Sequence, residues 1–266
     1  MGDTGGEVFC GVDLGASATK VVLVDGAGDA LARVVRHSGI DYAATARECL
    51  ADALAECESC RGSVRRTVST GYGRRNVEFA DATLTEIHCH AAGCHHLVPG
   101  AITVVDIGGQ DNKVVRIEES GKRLDFKMNR KCAAGTGALI EEMAVRLGVE
   151  LSEMETLAHR TNEAVRLSSF CTVFAKTEIL AHLRQGVPVE QIVRGAYRSV
   201  INRVVEMDPL AGTVVMTGGV VAHHPTIADI LAERLGREVV VPPWPQFTGA
   251  LGAALSARKQ AHETED

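Results

Sequence analysis

The sequence lacks several features that would assign it to common classes of protein. Its 266 residues contain 28 basic and 34 acidic side chains, a formal net charge of −6, so the basic surplus that favours nucleic-acid binding is missing. No apolar run reaches the roughly 20 residues of a membrane-spanning helix. The opening residues lack the basic and apolar segments of a secretory signal. We therefore expect a cytoplasmic protein that binds neither nucleic acid nor membrane.

Two local signals of known site classes are also missing. No Gly-x-x-x-x-Gly-Lys-Ser/Thr segment occurs, which excludes the P-loop class of nucleotide-binding protein. Among the eight cysteines, Cys57 and Cys60 form a lone CxxC spacing with no second pair nearby. A reducing cytoplasm disfavours structural disulfides, and a zinc or redox site of this type needs a further partner. We therefore interpret the spacing as a coincidence at a helix end.

The sequence does contain an internal repeat. Residues 8–25, VFCGVDLGASATKVVLVD, and residues 102–118, ITVVDIGGQDNKVVRIE, each indicate an apolar strand, an Asp-x-Gly turn and a second strand. Each copy continues through a glycine-containing turn into a third strand, and helical periodicity follows. The repeat predicts two α/β domains, residues 1–98 and 99–266, each built on an antiparallel meander.

The matched turns predict a nucleotide site between the two domains. Asp13 and Asp106 occupy equivalent positions and can hold a hydrated Mg²⁺ ion. A lysine follows each aspartate by seven residues, at Lys20 and Lys113. Glycines in both turns would let backbone N–H groups approach phosphate oxygens: Gly15, Gly108 and Gly109. After a later apolar strand, a glycine pair suits close passage of an adenosine group: Gly218 and Gly219.

A further glycine turn stands in front of a predicted helix at residues 137–147. Its residues are Gly135, Thr136 and Gly137, and such a turn is typical of a phosphate-binding helix start. A cysteine, Cys132, precedes it, and Cys171 precedes a second predicted helix at residues 173–183. The partial positive charge of a helix N-terminus stabilises a thiolate. Each helix start thus favours the thiolate form of the cysteine in front of it.

Several motifs of the sequence resemble those of a known family. GVDLGASATK, VVDIGGQD and MTGGV are similar to the phosphate and adenosine motifs of the actin/Hsp70/sugar-kinase superfamily. More narrowly, STGYGR, TEIHCHA, NRKCAAGTG, SSFCTVFAKTE and GALGAAL resemble the activator ATPases of 2-hydroxyacyl-CoA dehydratases and the ATPase subunits of benzoyl-CoA reductases. The resemblance covers roughly residues 8–257. It implies two duplicated ribonuclease-H-like domains with a nucleotide cleft between them.

The resemblance also implies an activity, its cofactors and its partners. Family members couple hydrolysis of ATP to ADP, with Mg²⁺, to delivery of one low-potential electron, and they are oxygen-sensitive. One [4Fe–4S] cluster per dimer is held by two cysteines from each chain, here Cys132 and Cys171. The chain would form a homodimer or pair with a homologous subunit. Ferredoxin or flavodoxin would be the electron donor, and an iron–sulfur dehydratase or reductase would be the acceptor.

The family motifs imply a set of nucleotide contacts beyond the glycines already named: Ala16, Ser17, Ala18, Thr19, Lys20 and Gln246. Gln110 or Asp111 would position the attacking water. Two alternatives stay open, a sugar or carboxylate kinase of the same superfamily without iron, and an ATP-switched scaffold.

The segment HCHAAGCHH, residues 88–96, places His88 and His95 on one helix face. We interpret it as a structural helix rather than a metal site.

Overall fold

The computed structural model describes residues 6–57, 60, 62, 64–167 and 172–263. These residues form two compact units. The first contains the described residues up to Gly100, the segment Ile117–Arg123 and the chain from Phe247 onward. The second contains Ala101–Arg116 and the described part of Leu124–Gln246. Each unit includes a five-stranded sheet.

The first sheet has the order β3-β2-β1-β4-β5. Its strands are β1 (Val8–Leu14), β2 (Ala18–Val24), β3 (Ala30–His37), β4 (Val64–Thr70) and β5 (Ala82–Thr83). The β1–β2 and β2–β3 pairs are antiparallel, whereas β4 runs parallel to β1 and β5 runs parallel to β4. The first three strands therefore form the predicted meander.

Helices cover both faces of this sheet, which explains why every residue of β1 is buried. Because side chains alternate across a strand, one face of β1 packs in a core with helix α1 (Tyr42–Glu56). Phe9, on the other face, packs in a core with α9 (Thr248–Glu263). Helix α2 (Glu86–Leu97) packs directly against α9. The central strand is thus enclosed by helices at both ends of the chain.

Small residues set the position of α9. A Cβ atom added to Gly93 on α2 would overlap the carbonyl oxygen of Thr248, and one added to Gly252 on α9 would overlap that of Cys89. The two helix backbones therefore approach more closely than any larger side chain would allow. The sequence assigned residues 99–266 to the second domain. The structure instead packs α9 in the first unit. The sequence did not reveal this packing, because the close contact depends on glycines far apart in the sequence.

The second sheet has the order β10-β9-β6-β7-β8. Its strands are β6 (Ile102–Ile107), β7 (Asn112–Ile117), β8 (Arg123–Asn129), β9 (Thr213–Thr217) and β10 (Val239–Val240). Read from β8 to β10, this order repeats that of the first sheet strand for strand. The predicted fold class of two duplicated α/β domains is confirmed.

In its described residues, the second unit has six helices: α3 (Gly137–Leu147), α4 (Leu151–His159), α5 (Thr172–Arg184), α6 (Val189–Met207), α7 (Gly219–His223) and α8 (Thr226–Leu235). Their limits follow local signals. Glu150 and Glu153 form a capping box at the start of α4. Helix α3 ends at Gly148, which has a φ of +66°. No helix in the described ranges is long and apolar enough to cross a membrane.

The structure corrects the interpretation of the CxxC spacing. Cys57 and Cys60 are joined by a disulfide bond, with their Cα atoms 5.3 Å apart. Both side chains are buried where α1 ends. The reducing-compartment argument gave no reason to expect this bond, and the spacing alone did not distinguish it from a coincidence.

Candidate functional site

The repeated aspartate and lysine form an ion pair in each unit. Lys20 Nζ lies 3.3 Å from Asp13 Oδ2, and Lys113 Nζ lies 3.2 Å from Asp106 Oδ2. In the first unit the two residues are direct partners across β1 and β2, which is why a seven-residue spacing brings them together. The pair in the second unit is almost completely buried. Each lysine therefore compensates a carboxylate that would otherwise be costly to bury.

Both Asp-x-Gly turns are closed by the same backbone hydrogen bond. The Gly15 N–H donates to the Ala18 carbonyl at 3.1 Å, and the Gly108 N–H donates to the Asp111 carbonyl at 2.9 Å. The duplication thus extends to the geometry of the turns. Two of the predicted contact residues lie exposed on the turns: Ala16 and Gln110.

Other predicted contact residues in these turns are engaged with the protein itself. Thr19 is fully buried, and its hydroxyl hydrogen-bonds with Ser38 Oγ at 2.9 Å. Asp111 accepts a hydrogen bond from Lys113 Nζ at 2.8 Å. Thr19 therefore has a structural role, whereas the half-buried Asp111 remains at the open side of its turn. A role for Gln110 or Asp111 in positioning water stays a prediction.

Asp106 uses both oxygens within the protein. Oδ2 is paired with Lys113, and Oδ1 accepts a hydrogen bond from Thr217 Oγ1 at 3.1 Å. Lys113 and Thr217 thus each hold one oxygen of this carboxylate and fix its orientation. Sequence reasoning missed Thr217, although it lies immediately before the glycine pair. It matched Lys113 in the repeat but gave it no role.

In the first unit, α2 and α9 both reach the surroundings of Asp13. A Cβ atom added to Gly249 would lie 3.1 Å from Asp13 Oδ2 and 3.2 Å from His90 Nε2. His90 is buried, and its Nδ1 hydrogen-bonds with Thr248 Oγ1 at 3.1 Å. Gly249 thus leaves room between the carboxylate and the imidazole. Neither His90 nor Thr248 was identified from the sequence.

The predicted adenosine residues lie together in the second unit. Gly218 has a φ of +103° and donates its N–H to the Pro245 carbonyl at 2.9 Å. A Cβ atom added there would overlap the backbone of Ile107, so only glycine fits. A Cβ atom added to Gly219 would lie 3.4 Å from Gln246 Nε2. Residues from two separate segments of the sequence thus meet where α7 begins.

The glycine turn in front of α3 binds the second Asp-x-Gly turn directly. The Gly137 N–H donates to the Gly108 carbonyl at 2.9 Å, and the Ala138 N–H donates to the Gly109 carbonyl at 2.8 Å. The Thr136 N–H donates to a carbonyl within its own loop. These helix-start amides are therefore used to hold the neighbouring turn. Contact of Gly135, Thr136 or Gly137 with a nucleotide stays a prediction.

Cys132 lies in a loop organised by Asn129. The Asn129 side-chain amide donates to the Cys132 carbonyl at 2.8 Å, and its oxygen accepts the Cys132 N–H at 3.2 Å. A single 3₁₀ turn, Ala133–Gly135, separates the cysteine from α3. The sequence predicted Cys132 in front of the glycine turn that precedes this helix, and the structure places it there. Asn112 Nδ2 donates to the Gly135 carbonyl at 2.7 Å and fixes the far side of the loop.

Burial distinguishes Cys132 from the other described cysteines outside the disulfide. Cys132 is half-buried, whereas the remaining four are buried. Burial raises the pKa of the thiols of Cys10, Cys49 and Cys89 to about 12, which keeps them protonated and unsuited to bind metal. Cys132 is therefore the best candidate ligand in the described part of the chain. Cys171 lies outside the described residues.

The described residues contain no cluster of three or more His, Cys, Asp or Glu side chains that could hold a metal ion. In the segment HCHAAGCHH, both cysteines are buried, and His90 hydrogen-bonds within the first unit. One copy of the described chain thus provides one accessible thiol, and a multi-cysteine site would need further ligands.

Comparison with known proteins places this site in a family. Residues 10–257 match the BadF/BadG/BcrA/BcrD ATPase family. The chain belongs to this ATPase family. It is 40% identical over 256 residues to the activator of lactoyl-CoA dehydratase from Anaerotignum propionicum, a match that covers 95% of this chain and 98% of that protein.

Two further comparisons agree in sequence and in structure. The chain is 38% identical over 258 residues to the 2-hydroxyisocaproyl-CoA dehydratase activator of Clostridioides difficile, with 96% of each protein covered. The solved structure of the 2-hydroxyisocaproyl-CoA dehydratase activator from Clostridium difficile, with bound ADPNP, superposes with a TM-score of 0.89 at 36% identity. That match covers 97% of each chain. The family resemblance inferred from the motifs is confirmed.

Proposed function

We propose that this chain uses ATP hydrolysis to deliver a low-potential electron to an iron–sulfur dehydratase that acts on a 2-hydroxyacyl-CoA. Membership of the ATPase family and the named dehydratase activators support this function. The structural observation that carries it is the pair of hydrogen bonds from α3 to the Gly108–Gly109 turn. These bonds connect a turn of the phosphate-binding type to the helix that follows Cys132.

The residues of the two Asp-x-Gly turns are the proposed phosphate and Mg²⁺ contacts. Glycine at Gly15 and Gly108 permits close approach of backbone to phosphate, and Asp13 and Asp106 are held in place by their lysines. The adenosine group would pass Gly218 and Gly219 next to Gln246. Asp106 would hold Mg²⁺ or one of its bound waters through the remaining lone pairs of its carboxylate.

Nucleotide state would be coupled to Cys132 because few hydrogen bonds separate the Gly108–Gly109 turn from the cysteine loop. A shift of the Gly108 carbonyl on loss of the γ-phosphate would move the first residue of α3, because the two are hydrogen-bonded. The 3₁₀ turn and Asn112 would pass that shift to the Cys132 loop. Presence or absence of a phosphate is a common trigger for this kind of local rearrangement.

Cys132 and Cys171 are the proposed ligands of a [4Fe–4S] cluster shared by two copies of the chain or by this chain and a homologous subunit. The donor chemistry fits, because Cys132 is only half-buried and such a cluster needs four cysteines. When bound, the cluster supplies a one-electron carrier of low potential. About 10 kcal/mol from ATP corresponds to roughly 0.4 V for one electron, enough to matter for a difficult reduction.

The donor and the acceptor are proposed by class. Reduced ferredoxin or flavodoxin would supply the electron. A benzoyl-CoA-type reductase or another iron–sulfur enzyme is the alternative acceptor. This chain would then be the ATPase subunit of that enzyme, with the same ATPase site. Turnover of ATP that depends on an added dehydratase, measured against an added reductase, separates these acceptors.

The decisive experiment measures iron, sulfide and native mass on protein purified without oxygen, for the wild type and for Cys132→Ala. We expect about four irons in each wild-type dimer and a loss of iron in the variant. Cys94→Ala is the matched control, because it removes a buried thiol on α2 of the other unit. Its iron content should equal that of the wild type.

An iron-free, ATP-binding monomer would contradict the electron-transfer function. That result would favour a kinase of the same fold, for which phosphorylation of sugars or carboxylates is the assay. Iron that persists in Cys132→Ala would place the cluster elsewhere and leave the ATPase function intact.

A further inference from the structure

A cavity of about 630 Å³ lies in the first unit, and no residue of either Asp-x-Gly turn lines it. Its walls are one face of α2, the last turns of α9 and the turn between β7 and β8. Four of the ten histidines of the chain line it: His88, His95, His96 and His262. The proposed electron-transfer function uses none of these residues.

Helical spacing explains how the histidines converge. His88 and His95 are seven residues apart on α2, so they lie on one face two turns apart. On α9, Lys259 and Glu263 are four residues apart, and Lys259 Nζ lies 3.7 Å from Glu263 Oε1. The packing of α2 against α9 makes these two faces the walls of one cavity.

The cavity carries positive charge in an acidic protein. Lys259 and Arg258 line it, and Glu263 is the one carboxylate among its described lining residues. Burial and the positive charges of Arg123 and Lys259 lower the pKa of His88. The environment of His88 is therefore positive even though the chain has a net charge of −6. A bound anion would relieve this repulsion.

Two of the side chains that line the cavity are held by hydrogen bonds to backbone carbonyls of neighbouring turns. Arg258 Nε donates to the Gly26 carbonyl at 2.8 Å, which fixes the guanidinium against the turn between β2 and β3. His95 Nε2 lies 3.1 Å from the Glu119 carbonyl oxygen, to which it donates. Gly121, with a φ of +83°, leaves room for the His95 ring. The Arg258 guanidinium and the His95 ring are thus positioned before any ligand arrives.

We propose that this cavity binds the phosphate group of a small metabolite. The Lys259 ammonium and the imidazoles of His88, His96 and His262 are the donors, and such charge-assisted hydrogen bonds to phosphate are strong. Its volume is in the range of small-molecule sites. This site is independent of the proposed electron transfer, because it shares no residue with the nucleotide turns or the Cys132 loop.

The test is a titration of the anaerobically purified protein with inorganic phosphate, followed by NMR of the histidine imidazoles. ADP and Mg²⁺ at saturation occupy the nucleotide site, and ionic strength is kept constant with KCl. We expect saturable shifts of the His88 and His262 signals. Lys259→Glu should weaken phosphate binding by about tenfold or more, because it reverses the charge next to the ligand. Arg234→Glu, an exposed charge reversal on α8 of the other unit, should leave the affinity unchanged.

Three results would overturn the proposal. Shifts that do not saturate would show general ionic effects only, and an equal affinity in Lys259→Glu would place the anion elsewhere. Succinate that shifts the same signals with the same affinity would show that the cavity does not select phosphate. A His262→Gln variant, which also changes the cavity, should weaken binding as well and serves if Lys259→Glu fails to fold.

Discussion

Replacing Lys113 by methionine tests how strongly the second Asp-x-Gly turn depends on its ion pair. Lys113 Nζ lies 3.2 Å from Asp106 Oδ2 and 2.8 Å from Asp111 Oδ1, and the side chains of Lys113 and Asp106 are each 4% exposed. Removing one partner of a buried pair leaves an uncompensated charge, which costs about 3–5 kcal/mol. We expect the free energy of unfolding to fall by about 3 kcal/mol, the lower end of this range. The reason is that Asp111, the second partner of Lys113, is partly exposed and stays hydrated without the lysine.

Urea denaturation of a double-mutant cycle with Asp106→Asn measures this pair. The double variant buries no charge at this position, so it should be more stable than the sum of the two single losses by about 2 kcal/mol. Lys20→Met is the matched control, because the pair with Asp13 is more exposed, at 15% and 8%, and should lose less. Additive losses, with a coupling below about 0.5 kcal/mol, would refute the reasoning.

Three further predictions concern other parts of the second unit. Gly218→Ala should destabilise this unit by about 3 kcal/mol and weaken ATP binding, since the added methyl group overlaps the backbone of Ile107. The control is Gly212→Ala, at a φ of +73° with open space around it. It should cost about 1 kcal/mol in the same urea denaturation assay. Burial and the charge of a neighbouring histidine lower the pKa of His224 to about 4. The unfolded chain then binds the extra proton first, so stability should fall by about 3 kcal/mol between pH 6.5 and 4, and His224→Asn should flatten that slope. Asn129→Ala should lower the iron content of the anaerobic protein, because it removes both hydrogen bonds to the backbone of Cys132; a full iron content would show that the loop does not need them.

Elements with local signals were predicted closely. The predicted and observed limits of α3 agree at Gly137 and Leu147, because helical periodicity marks this segment directly after a glycine turn. The repeat also predicted both meanders and the equivalence of Asp13 and Asp106. These features depend on neighbours within a few residues, or on a match between two segments that the sequence itself displays.

Features that depend on distant contacts were not predicted. The packing of α9 in the first unit depends on Gly93 and Gly252, which are far apart in the sequence and mark no pattern. Thr217 reaches Asp106 only because β6 and β9 are neighbours in the sheet. The residues 168–171, which include Cys171, lie outside the described ranges, so its predicted role as a metal ligand stays a prediction.

The two copies differ in the donor that holds the glycine carbonyl of the Asp-x-Gly turn. In the first unit the Gly15 carbonyl accepts a hydrogen bond from Ser38 Oγ at 2.7 Å, from the residue directly after β3. In the second unit the equivalent Gly108 carbonyl accepts from the N–H of Gly137 at 2.9 Å. Residues 130–136 separate this donor from the end of β8 and contain Cys132.

This difference would place the proposed coupling in one half of the duplicated fold. A shift of the first turn would reach only the end of a strand, because its carbonyl is held by a single hydroxyl. A shift of the second turn would reach a helix start and the cysteine loop in front of it, because the donor is the first residue of α3. Under the proposed function, this carbonyl would have a structural role in one copy and would relay nucleotide state in the other. The connection that carries Cys132 runs from residue 130 to residue 136, whereas residues 38–41 join β3 to α1 in the first copy.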